Sequence, residues 1–102
     1  MTENLTEEIF ARQLNSKFRV HADTPRPVEL ELVEVKGWRS LAMEQGGMER
    51  FSLFFTGPAD ILLPQRSYTL EHEQLGMLDI FLVPVARTEE NLRYEAVFNF
   101  YK

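Results

Sequence analysis

From residue 17 onward, apolar and polar side chains alternate with a period of two, broken at short intervals by turn residues. In KFRVHA (17–22), Phe18, Val20 and Ala22 share one face, with Lys17, Arg19 and His21 on the other. That is the pattern of a half-buried strand. DTPRP (23–27) interrupts it, because two prolines without N–H groups cannot extend a ladder. VELELVEVK (28–36) resumes with Val28, Leu30 and Leu32 on one face, then slips phase so that Val33 and Val35 become the apolar pair. One extra residue near 32–33, a β-bulge, accounts for the slip and bends the strand.

The alternation continues to the end of the chain. ERFSLFFTG (49–57) sets Phe51, Leu53 and Phe55 on one face, and Phe54 on the other calls for cover there too. Gly57 and Pro58 close that strand. The connection 37–48 contains Gly46 and Gly47, which favour a turn, and Trp38, Leu41 and Met43, which suit a strand. ADILLPQ (59–65) reads as a turn or a single helical turn, SYTLEH (67–72) as a strand, MLDIFLVPV (77–85) as a buried strand and RTEENL (87–92) as a polar turn. The last strand runs from about residue 93 to residue 101, with Tyr94, Ala96, Phe98 and Phe100 facing the core.

Only the first stretch departs from this period. In LTEEIF (5–10), Thr6 is placed to cap a helix whose first turn holds Glu7 and Glu8, where the helix dipole favours negative charge. Leu5 and Phe10 have the spacing of a hydrophobic staple. Ile9, Phe10 and Leu14 form one stripe, and Asn15 suits a left-handed end. The spacing predicts one short helix over 6–14 that plugs an end of the sheet, or else covers its outer face. Five to seven short strands and one N-terminal helix predict a mainly β fold, a small antiparallel barrel or strongly bent sheet. Closure is preferred because it hides strand edges.

Composition narrows the function classes. At 102 residues the chain is expected to form a single domain, 1–102. It has no Cys, which excludes disulfides, thiolate zinc sites and a Cys nucleophile. The net charge of −5 argues against nucleic acid, since Lys17, Arg19, Arg26, Lys36 and Arg39 are interspersed with Glu29, Glu31 and Glu34. The acidic start has no apolar signal core, and no run reaches the roughly 18 apolar residues of a membrane-spanning helix. The expectation is a soluble cytoplasmic protein that meets no membrane.

Several pieces, LTEEIFARQLNSKFRV, LELVEV, ERFSLFFTGP, YTLEHEQLGMLDIFLVPV and YEAVFNF, together resemble a family of short bacterial proteins of unknown function. The resemblance runs from residue 5 to residue 100, and its strongest parts are FSLFFTGP, FLVPV and YEAVFN. It implies single domains of about this length, encoded beside phage-tail-collar-like proteins. It implies an accessory or interaction role and supplies no catalytic residues.

No motif fixes a chemistry: G-x-S-x-G, a P-loop and H-E-x-x-H are all missing, and Ser40, Ser52 and Ser67 have no neighbouring base in sequence. EHE (71–73) invites a metal reading, but on a strand Glu71 and Glu73 share a face while His72 points away, and His21 has basic neighbours. No metal, cofactor or catalytic residue is assigned. Asp79 and Glu95 with a histidine are the candidates if the protein is an enzyme. A barrel lined by Phe51, Phe55, Phe81, Phe98 and Phe100 is the candidate if it carries a small apolar ligand. The preferred expectation is a non-enzymatic protein-interaction or assembly-accessory domain. Its partner is a second copy or a heterologous protein, and its surface includes Trp38, Phe54, Phe81, Val97 and Tyr101.

Overall fold

A computed structural model describes residues 6–38 and 48–101, with the side chains of residues 6–37 and 50–98. Among them lie one helix, α1 (Glu7–Ala11), and six strands: β1 (Lys17–His21), β2 (Val28–Trp38), β3 (Met48–Pro58), β4 (Arg66–His72), β5 (Gly76–Arg87) and β6 (Asn91–Tyr101). The strands form a closed antiparallel barrel in the order β1-β2-β3-β6-β5-β4. Mainly β, barrel and one N-terminal helix are as the alternation predicts. The expected loop apolar positions 41 and 43 and the staple residue Leu5 lie outside the described residues.

The strand faces follow the period of two. Phe18 and Val20 of β1, Val28, Leu30 and Leu32 of β2, and Leu78, Ile80 and Leu82 of β5 are buried, while the residues between them face out. Ala22 is exposed, because β1 ends at His21. The phase slip in β2 is a bulge. Leu32 pairs with Phe55 and Glu34 with Phe54, leaving Val33 as the extra residue, after which Val35 packs toward the core opposite Leu53.

β5 makes the closure possible by changing partners. Its first half pairs with β4, from Gly76 opposite His72 to Leu82 opposite Arg66. Its second half pairs with β6, from Val83 opposite Glu95 to Arg87 opposite Leu92, with a second register shift between Pro84 and Ala86. β6 meanwhile runs along β3 for its whole length, from Asn91 opposite Pro58 to Tyr101 opposite Met48.

The helix closes the end of the barrel. Thr6 caps α1 by accepting the Ile9 N–H, and the chain reverses through Asn15, whose φ is 69°. The turn is tied to the β2 bulge: Asn15 N–H donates to Leu32 O and Leu32 N–H to Ser16 O. α1 is shorter than predicted, because residues 12–15 are turn, and Leu14 is 41% exposed. Phe10 is fully buried, with its ring centroid 5.9 Å from Phe51 and 5.3 Å from Phe98, whose rings stack on each other. Burying one Phe contributes about 1.5–3 kcal/mol, so this single anchor holds a five-residue helix that would not persist alone. It plugs the interior side and does not cover the outer face of β6, where Val97 stays 43% exposed.

Two glycines lie close against neighbouring side chains. A Cβ on Gly57 would lie 2.6 Å from Leu30 Cδ2, and one on Gly37 would meet the Glu7 carboxylate at 2.6–2.9 Å. No helix among the described residues is long and apolar enough to cross a membrane.

Candidate functional site

Residues on the outside of β5 are largely apolar, whereas those of β1 and the first part of β2, Lys17, Arg19, Glu29 and Glu31, are charged. With Leu78, Ile80 and Leu82 turned in, Met77, Asp79, Phe81, Val83 and Val85 turn out. Met77 is 56% exposed, Phe81 50% and Val85 46%. Asp79 interrupts the stripe and accepts a hydrogen bond from the Thr69 hydroxyl at 2.7 Å. Val83 opposes Glu95 of β6, and one step farther along the outer face stand Phe81 on β5 and Val97 on β6. Alternation places Phe81 and Val97 on the outer face, and the same count carried along β5 reaches Met77, Val83 and Val85.

The five residues expected to form an interaction surface fall into different places. Phe81 and Val97 are open on this face. Phe54 is on the outer face of β3 opposite Glu95, with Ser52 opposite Val97 one step away. It is half-buried, because the Arg93 guanidinium lies 4.6 Å from its ring centre and holds Glu34 in an ion pair. This is the cover that the sequence demanded for Phe54. Trp38 pairs with Arg50 and Tyr101 with Met48, and the side chains of Trp38 and Tyr101 lie outside the described residues.

Phe81 is therefore not a barrel-lining residue. The ligand-carrier reading placed it inside with Phe51, Phe55 and Phe98, but β5 already fills its inner face with Leu78, Ile80 and Leu82. Phe51 and Phe55 are fully buried, Phe98 packs against the core, and Phe18 meets Phe55 edge-on at 5.2 Å. The rings fill the interior against one another. Phe100's side chain lies outside the described residues.

EHE separates as three environments. β4 ends at His72, so Glu73 is in the turn and not on a strand face with Glu71. Glu71 faces out and receives His21 Nε2 at 2.8 Å and Arg19 at 3.8 Å. His72 is only 4% exposed and its ring lies 4.5 Å from that of Phe18. Its Nδ1 accepts the N–H groups of Gln74 at 3.0 Å and Leu75 at 3.1 Å, shaping the turn that Gly76 completes with φ of 77°. Its Nε2 lies 2.8 Å from Ser16 Oγ, which already donates to Gln13 O. Nε2 must then carry the proton and donate to Ser16. His72 is a neutral imidazole with both nitrogens engaged, and burial holds its pKa below the ordinary value against the opposing pull of Glu73.

An arrangement of this kind organises a turn and leaves no ring nitrogen for a metal or a substrate proton. Asp79 accepts from Thr69 and Glu95 from Ser52, so each candidate carboxylate is held by a hydroxyl on the neighbouring strand. No group of three or more His, Asp or Glu suited to a metal occurs among the described residues. Beside His72 an open cleft of about 540 Å³ is lined by Lys17, Arg19, Glu29, Glu71 and Glu73, a wall of mixed charge with no preference for one sign. Three basic residues considered for nucleic acid are paired with acids: Lys17 with Glu31, Arg19 with Glu71 and Arg26 with Asp60.

Residues 5–98 match the model of a domain of unknown function, DUF6916, and the chain belongs to that family. No curated protein and no solved structure matches it.

Proposed function

We propose that this member of the DUF6916 family is a non-enzymatic protein-interaction domain, an assembly accessory that docks a protein through the outer face of β5 and the adjoining part of β6. The observation that carries the reading is the stripe of Met77, Phe81, Val85 and Val97, each between 43% and 56% exposed, on neighbouring strands of one face. Scattered surface apolar residues need no explanation, but several on the outer faces of two neighbouring strands favour association. Ser67, Thr69 and Glu71 on the outside of the neighbouring β4 supply a polar rim on one side. The likeness to short bacterial proteins set beside phage-tail-collar-like ones supports a phage-tail-like assembly as the setting, in the cytoplasm.

The test is site-specific photo-crosslinking in cells that make the protein, with the reactive group at position 81 or 85 and a control at position 69. A discrete protein adduct at 81 and 85 that is missing at 69 is the expected result. Adducts equally abundant at all three, or none at 81 and 85, would overturn the reading.

A further inference from the structure

Two turns meet beside the open cleft, and the His72 ring joins them. The turn before β1 (residues 12–16) is fastened independently of that ring. Phe10 anchors it in the core, and Asn15 and Ser16 share two backbone hydrogen bonds with Leu32. The turn between β4 and β5 (residues 73–75) relies on the ring. Its Gln74 and Leu75 N–H groups donate to His72 Nδ1. Its other holds are the Leu75 side chain against the core and the Gln74 side chain, which accepts from Gln13 Nε2 at 2.8 Å. His72 Nε2 spans the junction to Ser16 Oγ.

This bonding admits one protonation state. A proton on Nδ1 would set three donors facing one another with no acceptor among them. Turning the ring over brings a carbon to the place of Nδ1 and orphans both N–H groups. The ring is 4% exposed and lies against Phe18, so water cannot take up the difference while the turn stays in place.

The charged groups around the ring do not reverse this. Among the described residues lining the cleft, Lys17 and Arg19 of β1 oppose a further positive charge, and they are paired with Glu31 and Glu71. Glu71 of β4 also receives His21, Glu29 of β2 lines the same cleft, and Glu73 in the turn favours the proton. Gln13 and Ser16 before β1, and Gly76 and Met77 at the start of β5, are uncharged. Burial outweighs Glu73 and holds the His72 pKa below its ordinary value.

We infer that His72 is an acid-released latch: a proton taken from solvent at Nδ1 expels the Gln74 and Leu75 N–H groups, parts turn 73–75 from Ser16 and uncovers the Phe18 ring, while the strands stay paired. The latch is shut above the ordinary histidine value and opens as pH falls through the lowered one. The open turn binds the proton at the ordinary value, so opening gains at most about tenfold in population per pH unit between the two. The device is independent of the apolar face of β5 and of the docking proposed for it.

The experiment is a nuclear magnetic resonance titration of the intact protein from about pH 7.5 to about pH 4.5. It follows the His72 ring, the amides of Gln74 and Leu75, and the amide of Leu53 in the β3 core, together with hydrogen exchange of all three amides with and without dilute urea. The His72 midpoint is expected below the ordinary value. The Gln74 and Leu75 amides are expected to move with that midpoint and to lose up to about tenfold in protection per pH unit, with little response to urea, as a local opening requires. Leu53 is expected to keep its signal and its protection.

A midpoint at or above the ordinary value, or no titration of the ring over this range, overturns the inference. So do turn amides that keep their protection while the ring titrates. Loss of Gln74, Leu75 and Leu53 protection together also overturns it, because the whole barrel then unfolds and nothing local is released. None of these readouts depends on a variant folding.

Discussion

His72→Phe tests the reading of His72 as a buried neutral turn organiser. Phe keeps a flat ring against Phe18 but offers no acceptor to the N–H groups of Gln74 and Leu75 and no donor to Ser16. An orphaned buried N–H costs about 1–3 kcal/mol. Two are orphaned here, and because Gln74 is exposed, water can reach part of the turn. The expected loss is roughly 2–4 kcal/mol near neutral pH. The pH dependence supplies the sharper test. Burial lowers the folded-state pKa of His72 from its ordinary 6.5, so below that value the unfolded chain binds a proton that the folded chain refuses. The contribution of neutral His72 is therefore complete above the ordinary value and is lost as pH falls through the lowered one. One such proton changes stability by at most about 1.4 kcal/mol per pH unit. The substituted phenyl ring cannot titrate, so the difference between the two proteins isolates His72. Urea unfolding read by circular dichroism from about pH 7.5 down to about pH 5 should show the advantage of wild type shrinking with acidity. Parallel curves over that range, or a variant as stable as wild type at the alkaline end, would refute the assignment.

Two further substitutions probe the packing. Gly57→Ala forces a methyl to within 2.6 Å of fully buried Leu30 and should destabilise by about 1–3 kcal/mol, whereas Gly37→Ala meets only the movable Glu7 carboxylate and should cost less than about 1 kcal/mol; equal midpoints in chemical denaturation would contradict the difference. Tyr94→Phe removes the hydroxyl that accepts the Leu63 N–H at 3.0 Å in the barrel interior, so a loss of about 1–3 kcal/mol is expected, and an unchanged melting temperature would show that this loop is held otherwise.

What the sequence determined is local. The period of two assigned Phe51, Leu53 and Phe55 to the core, and the phase slip at 32–33 located the β2 bulge, because side chains on a pleated strand must alternate and one extra residue must reverse them. Thr6 marked the start of the helix and Asn15 the left-handed turn that follows it, for equally local reasons, a side-chain oxygen for an orphaned N–H and tolerance of positive φ, although the helix itself ends at Ala11. Alternation is silent about neighbours, however. It says that Phe54 and Phe81 share an outward parity, not that Arg93 covers the one and nothing described covers the other. It continued EHE as a strand, whereas the turn that begins after His72 separates Glu73 from Glu71 and commits both ring nitrogens of His72. The exchange of partners by β5 and the register of β6 along β3 were likewise invisible. They arise when six strands must close on themselves, and closure is a condition on residues far apart in the chain, satisfied only by the three-dimensional packing.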